Sequence, residues 1–275
     1  MIDFPIDENS PPILMGVVNV TPDSFSDGGS FLDTDRAIAH ALQLEREGAA
    51  ILDIGGESTR PGAKPISLEE EQNRVLPVIE GLKKAGCKAA ISIDTRNAET
   101  MQKAINIGAD IINDISSLTY DSESLDVVAK AQMPVILMHM QGSPETMQDN
   151  PLYDDVVQEI FDYLNVQIER CLRAGLPREK IICDPGIGFG KTLEDNLTIL
   201  KNMDKFHHLD CTVLLGASRK SFIEKLCPDT PPTERLAGSI AAAIRGLEQG
   251  VQIFRVHDVK QTRQAFEVWQ STRSI

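Results

Sequence analysis

The stretch Ile181-Ile182-Cys183-Asp184-Pro185-Gly186 contains the pattern that decides the fold: a short apolar run, a polar residue at its end, and a turn. The pattern recurs along the chain, and segments with the helical spacing of apolar residues separate the runs. The runs begin near residues 13, 50, 89, 110, 134, 181, 211 and 251, and they are closed by Asn19, Asp53, Asp94, Asn113, His139, Asp184, Ser218 and the Arg255/His257 pair. Eight strand–helix units predict a (β/α)8 TIM barrel, whose active site lies at the C-terminal ends of the strands.

The barrel is expected to form one domain over residues 1–275, with the barrel itself at about 13–272. Strands are predicted at 13–20, 50–54, 89–93, 110–112, 134–138, 181–183, 211–215 and 251–254. Ser67 and Glu70 have the spacing of a capping box, and Thr233 is a candidate cap for a later helix. The first helix is predicted at 35–47, the second from Ser67 onward, and the third from after Asp94-Thr95 to about residue 107. Later helices are predicted at 154–174, after Thr233, and in a last segment that buries Val259, Phe266 and Trp269.

The charge balance and the cysteines exclude several classes of function. The net charge is −14, with 27 basic and 41 acidic residues, and this opposes binding to nucleic acid or to an anionic membrane. No apolar stretch approaches the ~18 residues of a membrane span, and the N-terminus lacks the form of a signal peptide. Five scattered cysteines without a C-x-x-C motif indicate reduced thiols. We therefore expect a cytoplasmic protein with small-molecule substrates.

Two groups of polar strand ends have opposite character. Asp94, Asn113 and Asp184 offer acceptors and an amide, and Lys220 adds a cationic donor. This set matches the donor/acceptor edge of a flat, nitrogen-rich ring such as a pterin or a purine. Taken singly, Asp53, Asp94 and Asp184 could equally be helix caps or loop braces, and the role of Asp53 stays open.

The second group is cationic and suits a phosphate. Arg255 and His257, predicted beyond the eighth strand, share an end of the barrel with the loop after the seventh strand, where Ser218 and Ser221 supply hydroxyl groups. Asn19, predicted across the mouth, is a neutral oxygen ligand that suits Mg²⁺ bound mainly through phosphate.

Three further features have open interpretations. The glycine-rich segment Gly186–Lys191 matches neither of the nucleotide-binding motifs G-x-G-x-x-G and G-x-x-x-x-G-K-[ST]. Its glycines are therefore expected to let the backbone approach a ligand, with Phe189 as an apolar wall. Phe25 lies in a polar loop, where it is either an anchor over a bound aromatic ring or a plug of the loop. His139 and the His207-His208 pair are expected to have structural roles.

Eight stretches together resemble the dihydropteroate synthase family, and the resemblance extends from about residue 13 to the last helix. They are Met15–Gly29, Gly55–Gly62, Ser92–Thr95, Asn113–Ile115, Met138–Gly142, Asp184–Gly186, Ser218–Ser221 and Arg255–Asp258. The resemblance implies that the chain condenses hydroxymethyl-dihydropterin diphosphate with para-aminobenzoate, which gives dihydropteroate and pyrophosphate for folate biosynthesis. It also implies a homodimer formed through late helices, and Mg²⁺ as the cofactor.

The resemblance assigns roles to residues by position. The pterin is expected at Asp94, Asn113, Asp184 and Lys220; the diphosphate at Asn19 with Mg²⁺, Thr59, Arg255 and His257; and para-aminobenzoate, with which sulfonamides compete, at Phe25, Arg60, Pro61, Phe189, Lys220 and Ser221. Asp94, Asp184, Lys220 and Arg255 are the expected catalytic residues. An ionisation-first displacement is expected, in which the first two loops close over the site and Asp27 faces the cation.

Three other functions remain as alternatives. A pterin-binding methyltransferase barrel that acts on methyl-tetrahydrofolate would share the ring site but has no use for the diphosphate group. An aldolase-type barrel would use Lys220 to form a Schiff base, although Arg219 and Ser221 fit anion binding better. A pterin-binding module without catalytic activity would show no turnover.

Overall fold

The computed structural model describes residues 11–21, 30–58 and 62–273. The strands are β1 (Ile13–Asn19), β2 (Ile51–Gly55), β3 (Ala90–Asp94), β4 (Ile111–Asp114), β5 (Val135–Met138), β6 (Ile181–Asp184), β7 (Thr212–Leu215) and β8 (Ile253–Val256). The helices are α1 (Ser30–Glu47), α2 (Leu68–Lys84), α3 (Ala98–Asn106), α4 (Ser124–Ala131), α5 (Val156–Arg173), α6 (Leu193–Lys201), α7 (Ser221–Leu226), α8 (Leu236–Glu248) and α9 (Val259–Arg273).

The strands form a closed parallel barrel in chain order, and β8 pairs with β1 to complete it. In the register, Met15 lies beside Ile51 in β2 and beside Arg255 in β8. Helices separate consecutive strands, so the chain has the predicted (β/α)8 TIM-barrel fold. No helix within the described ranges is long and apolar enough to cross a lipid bilayer.

Alternation along the strands divides the core into two parts. Alternate residues of each strand point into the barrel, where a small apolar cluster fills the lower half. Two residues of β1 and one residue of each other strand belong to it, namely Ile13 and Met15, then Ile51, Ala90, Ile111, Ile136, Ile182, Leu214 and Ile253. The neighbouring residues, such as Leu52, Ile112 and Val213, point outward and pack against the helices in a larger cluster. Because side chains alternate with a period of two, the residue two positions after each interior apolar residue also points inward, toward the C-terminal rim.

The predicted elements are confirmed, but several boundaries differ. Helix α1 begins at Ser30 rather than at residue 35. Asp94, Asp184 and Arg255 are strand residues, whereas the strands were predicted to end before them. Their inclusion in strands fixes their direction into the barrel.

The two predicted caps have different outcomes. The Ser67 hydroxyl accepts a hydrogen bond from the Glu70 amide, as expected, although the Glu70 carboxylate pairs with Arg74 instead of returning to the cap. The prediction of Thr233 as a cap is wrong. Thr233 lies within a 3-10 turn, and α8 begins after Arg235 without a side-chain cap.

Candidate active site

Three of the predicted pterin ligands are strand residues at the C-terminal rim of the barrel. Asp94 in β3 is the register partner of Asn113 in β4, and Asp184 is the last residue of β6. Each lies two residues after a residue of the interior apolar cluster or continues that inward alternation, so their side chains share the mouth of the barrel. The structure therefore brings together the acidic and amide groups that the sequence analysis singled out.

Asp53 is the centre of this group, a role that the sequence left open. Its side chain is fully buried, and Oδ2 accepts hydrogen bonds from Arg255 Nε at 2.6 Å and from Asn113 Nδ2 at 3.1 Å. The spacing contained the signal, since Asp53 lies two residues after the interior residue Ile51 and two before Gly55 at the rim. Strand alternation thus makes Asp53 an interior residue rather than a helix cap.

The contact with Asp53 also orients Asn113. A carboxylate only accepts hydrogen bonds, so the amide group of Asn113 must direct its NH₂ toward Asp53. The carbonyl oxygen of the same side chain then faces away from Asp53, where it can accept a hydrogen bond from a ring amine or a ring N–H.

Arg255 joins the two predicted groups instead of belonging only to the cationic one. Besides its contact with Asp53, its guanidinium donates to Asp94 Oδ2 at 3.0 Å. The prediction that Arg255 lies beyond the eighth strand is therefore wrong: it is the third residue of β8, and inward alternation places it among the carboxylates. Asn19 was predicted to lie across the mouth from the cationic group. It is instead on β1, which pairs directly with β8, the strand that carries Arg255.

Burial changes the charge state of the carboxyl groups. Desolvation and then the charge of Asp53 raise the pKa of Asp94 to about 8, and the positive charge of Arg255 acts in the opposite direction. Desolvation likewise raises the pKa of Asp184, against the lowering effect of the nearby Lys220 ammonium. The mouth can therefore hold a proton near neutral pH, which favours hydrogen bonding to the heteroatoms of a ring.

Lys220 and Phe189 form the opposite wall. The Lys220 ammonium lies 4.5 Å from the centroid of the Phe189 ring and donates to the carbonyl oxygen of Ile187. Burial lowers the pKa of Lys220 to about 8, while the Asp184 carboxylate raises it. Ser221 is the exposed first residue of α7, directly after Lys220.

Gly216 shows how closely these groups surround one space. A Cβ atom at this position would lie 3.6 Å from Asp184 Oδ2, 3.8 Å from Arg255 Cβ and 3.8 Å from Lys220 Nζ. A carboxylate, an ammonium and the base of the Arg255 side chain therefore surround a point where the chain has no side chain. The absence of a side chain leaves room for a ligand to lie against the strand.

The residues predicted to bind phosphate are only partly brought together. His257 approaches Ser218, with 3.0 Å between Nδ1 and the Ser218 hydroxyl oxygen, and its backbone N–H donates to the same hydroxyl at 3.2 Å. Arg219 is held by two hydrogen bonds to Asp258. His257 and Ser218 thus stay at the rim, while Arg219 is engaged in an ion pair.

Asn19 is the candidate metal ligand. It ends β1 with its side chain partly exposed, and within the described ranges no cluster of three or more histidine, cysteine, aspartate or glutamate side chains could hold a metal. One amide oxygen fits a Mg²⁺ ion that keeps phosphate and water as its other ligands. The remaining predicted site residues lie outside the described residues; they are Phe25, Asp27, Thr59, Arg60 and Pro61.

His139 and His207 have structural surroundings. His139 Nδ1 lies 3.0 Å from the ammonium of Lys191, and burial lowers the pKa of His139 to about 3. His207 Nε2 lies 2.8 Å from the carbonyl oxygen of Gln249. Lys191 is fully buried but was not among the predicted site residues, because nothing in its local sequence distinguishes it from an exposed lysine.

Comparisons with known proteins agree with this geometry. The model of the family "Pterin binding enzyme" matches residues 15–257. The chain is 48% identical to the dihydropteroate synthase of Escherichia coli K12 over 96% of this chain and 93% of that protein. The Xanthomonas albilineans dihydropteroate synthase structure with 4-aminobenzoic acid has a TM-score of 0.90 and 45% identity, with coverage of 96% and 94% of the two chains. The same enzyme in complex with 7,8-dihydropteroate has a TM-score of 0.87 and 42% identity, with the same coverage. The chain therefore belongs to the family of pterin-binding enzymes and, within it, to the dihydropteroate synthases.

Proposed function

We propose that the mouth of the barrel performs the dihydropteroate synthase reaction with the residues that the sequence singled out. Asp184, Asn113, Asp94 and Lys220 would bind the pterin ring. The observation that carries this assignment is the convergence of Asp184, Lys220 and Arg255 around the side-chain-free position Gly216. A flat ring in this space meets acceptors on one side and a cationic donor on the other, which suits the alternating edge of a pterin.

The diphosphate would lie toward β8 and the loop after β7. The guanidinium of Arg255 is permanently charged, and its hydrogen bonds to Asp53 and Asp94 fix its orientation. His257 offers a ring nitrogen at the same rim. Thr59 would add a hydroxyl donor. Asn19 would hold Mg²⁺, which neutralises charge on the diphosphate when bound.

The chemical step exchanges one bond for another at the methylene carbon. The carbon–oxygen bond breaks, and its electron pair leaves with pyrophosphate. The lone pair of the neutral arylamine then forms the carbon–nitrogen bond, and a proton passes from the nitrogen to solvent. Asp94 and Asp184 lie where they can stabilise the electron-poor ring between the two events. If isotope exchange of pyrophosphate into the pterin substrate always requires the amine, this ionisation-first order is wrong.

Para-aminobenzoate would bind above the ring site. Phe189 offers an apolar face, while Lys220 and Ser221 can contact a carboxylate. Phe25, Arg60 and Pro61 would complete this pocket, in which sulfonamides would compete. The neutral amine needs placement more than deprotonation, so a rigid wall is the main requirement.

One assay tests the proposed function. The protein is mixed with hydroxymethyl-dihydropterin diphosphate and para-aminobenzoate, and pyrophosphate release is followed. We expect release that depends on both substrates. Methyl transfer from methyl-tetrahydrofolate to a corrinoid, without pyrophosphate release, would support the methyltransferase alternative instead.

A homodimer in the cytoplasm is part of the proposal. The outer faces of α8 and α9 form an open groove. It is lined mainly by the apolar residues Leu236, Ile240, Ile244, Ala265, Val268 and Trp269, with Gln261, Gln264 and Thr272 among them. Val268 is 61% exposed, and a groove of this kind suits a second copy of the chain. Light scattering of the wild type and of Val268→Glu tests this, with a monomer expected for the variant only. The five free thiols are consistent with a reducing compartment.

A further inference from the structure

Lys191 is a buried ammonium that the reaction described above does not use. Its side chain is 1% exposed, and it is the last residue of the glycine-rich segment Gly186–Lys191 after β6. Nζ approaches His139 Nδ1 at 3.0 Å and donates to the carbonyl oxygens of His139 at 3.3 Å and Phe189 at 2.9 Å. When Lys191 is protonated, these contacts use all three of its donors, and burial lowers its pKa to about 7.

The two contacts with His139 join the loop after β6 to the loop after β5, and the contact with Phe189 lies within the loop after β6. His139 is a fixed anchor, because its ring packs edge-on against Tyr163 with 4.9 Å between centroids. With its pKa lowered by burial, the ring is neutral and presents a lone pair to the lysine. Lys191 therefore attaches the Phe189 backbone to a rigid part of the barrel.

The glycines of the second loop permit this close approach. Gly186 and Gly190 have φ values of 71° and 61°, and a Cβ atom on either would overlap the carbonyl oxygen of His139 or Gln141. A Cβ on Gly188 would lie 3.1 Å from Lys220 Cδ. The two loops thus touch through their backbones, and one of them lies directly against Lys220.

The loop that Lys191 fixes carries both contacts of the Lys220 ammonium. Its ring contact is Phe189, and its hydrogen-bond acceptor is the Ile187 carbonyl. We propose that Lys191 is a positioning residue for the arylamine: it holds the loop so that Phe189 and Lys220 form one wall of the para-aminobenzoate pocket. This inference rests on the proposed function of that pocket.

The test compares Lys191→Met with Lys191→Gln, which keeps an amide donor, and with Lys130→Met at an exposed lysine on α4 as the control. The KM for para-aminobenzoate is measured by pyrophosphate release, and the Kd for the pterin diphosphate by calorimetry. For Lys191→Met we expect the KM to rise by about tenfold or more and the Kd to rise clearly less, by about threefold, because Lys220 and Asp184 contact this loop, whereas Asp94 and Asn113 are on strands that Lys191 does not touch.

Lys191→Gln is expected to give an intermediate KM, and it replaces Lys191→Met as the decisive variant if the latter does not fold. An unchanged KM in the folded variant, or equal losses for both substrates, would overturn the inference. Phe189→Ala separates this outcome from a failure of the proposed function. If Phe189→Ala raises the KM while the Lys191 variants do not, the positioning role alone is wrong; if Phe189→Ala has no effect, the assignment of the pocket is wrong.

Discussion

Replacement of Asp53 by Asn tests whether this buried carboxylate organises the mouth of the barrel. Asparagine has nearly the same shape as aspartate, but the substitution removes the negative charge of the carboxylate that accepts hydrogen bonds from Arg255 and Asn113. Both hydrogen bonds go to Oδ2, so the carbonyl oxygen of the new amide can still accept both, while its NH₂ group takes the place of Oδ1, a buried oxygen with no hydrogen-bond partner among the described residues. Arg255 keeps Asp94 as a second partner at 3.0 Å, so it is not left fully unpaired.

The magnitude follows from these contacts. Loss of one partner of a buried ion pair costs about 3–5 kcal/mol when nothing replaces it. Retention of Asp94 and of a neutral acceptor for both hydrogen bonds reduces this to the loss of the negative charge, so we expect the free energy of unfolding to fall by about 1–3 kcal/mol. Removal of the Asp53 charge should also lower the pKa of Asp94, because that charge is the second-largest cause that raises it.

Two measurements check this prediction. Urea unfolding at pH 7 gives the loss of stability, and calorimetry with the pterin diphosphate gives the loss of affinity. We expect affinity to fall by about tenfold or more, since Arg255 loses the buried negative charge that holds its guanidinium in place for the diphosphate. Asp126→Ala, at an exposed carboxylate on α4, is the control. A loss of stability below about 0.5 kcal/mol, together with unchanged affinity, would refute the role of Asp53.

Four further outcomes follow from the geometry of the rim. Gly216→Ala should fold normally, because its Cβ meets only ordinary contact distances, yet lose about 1–3 kcal/mol of pterin binding in calorimetry; full affinity would place the ring elsewhere. Asp184→Ala should lower kcat/KM by the equivalent of roughly 2–5 kcal/mol, and unchanged efficiency would remove it from the site. Gly186→Ala should lower the free energy of unfolding by about 3 kcal/mol or more in urea, because the methyl group overlaps the His139 carbonyl at a left-handed φ of 71°. The pKa of Asp94 is raised by folding from 3.8 to about 8, so its contribution to stability is fully present below pH 3.8 and is lost as the pH rises through 8; Asp94→Asn should therefore show a flatter decline of stability between pH 5 and pH 8 than the wild type, and equal slopes would contradict the shift.

The barrel could be predicted from the sequence because each strand is a short apolar run that ends in a polar residue. Asp94, Asn113, Asp184 and Lys220 were identified on this basis, and the structure places them at one rim. Their grouping needed only the fold, since the carboxyl ends of parallel strands meet at the same end of a barrel.

The partners of these residues could not be predicted in the same way. Arg255 was expected to lie with His257, but its position within β8 directs it to Asp53 and Asp94. A one-residue difference in a strand boundary decides whether a side chain points inward or follows the loop, and boundaries are the least certain part of a sequence interpretation. The burial of Lys191 depends on contact between two loops that lie far apart in the sequence, so no local pattern contained it.

A crystal structure with bound hydroxymethyl-dihydropterin diphosphate tests the central claim most directly. We predict that the ring lies against Gly216, with its nitrogen-rich edge hydrogen-bonded to Asp184 and Asn113 and its diphosphate directed toward Arg255 and His257. A ring bound away from Asp184, or a diphosphate directed away from β8, would contradict the assignment of the site.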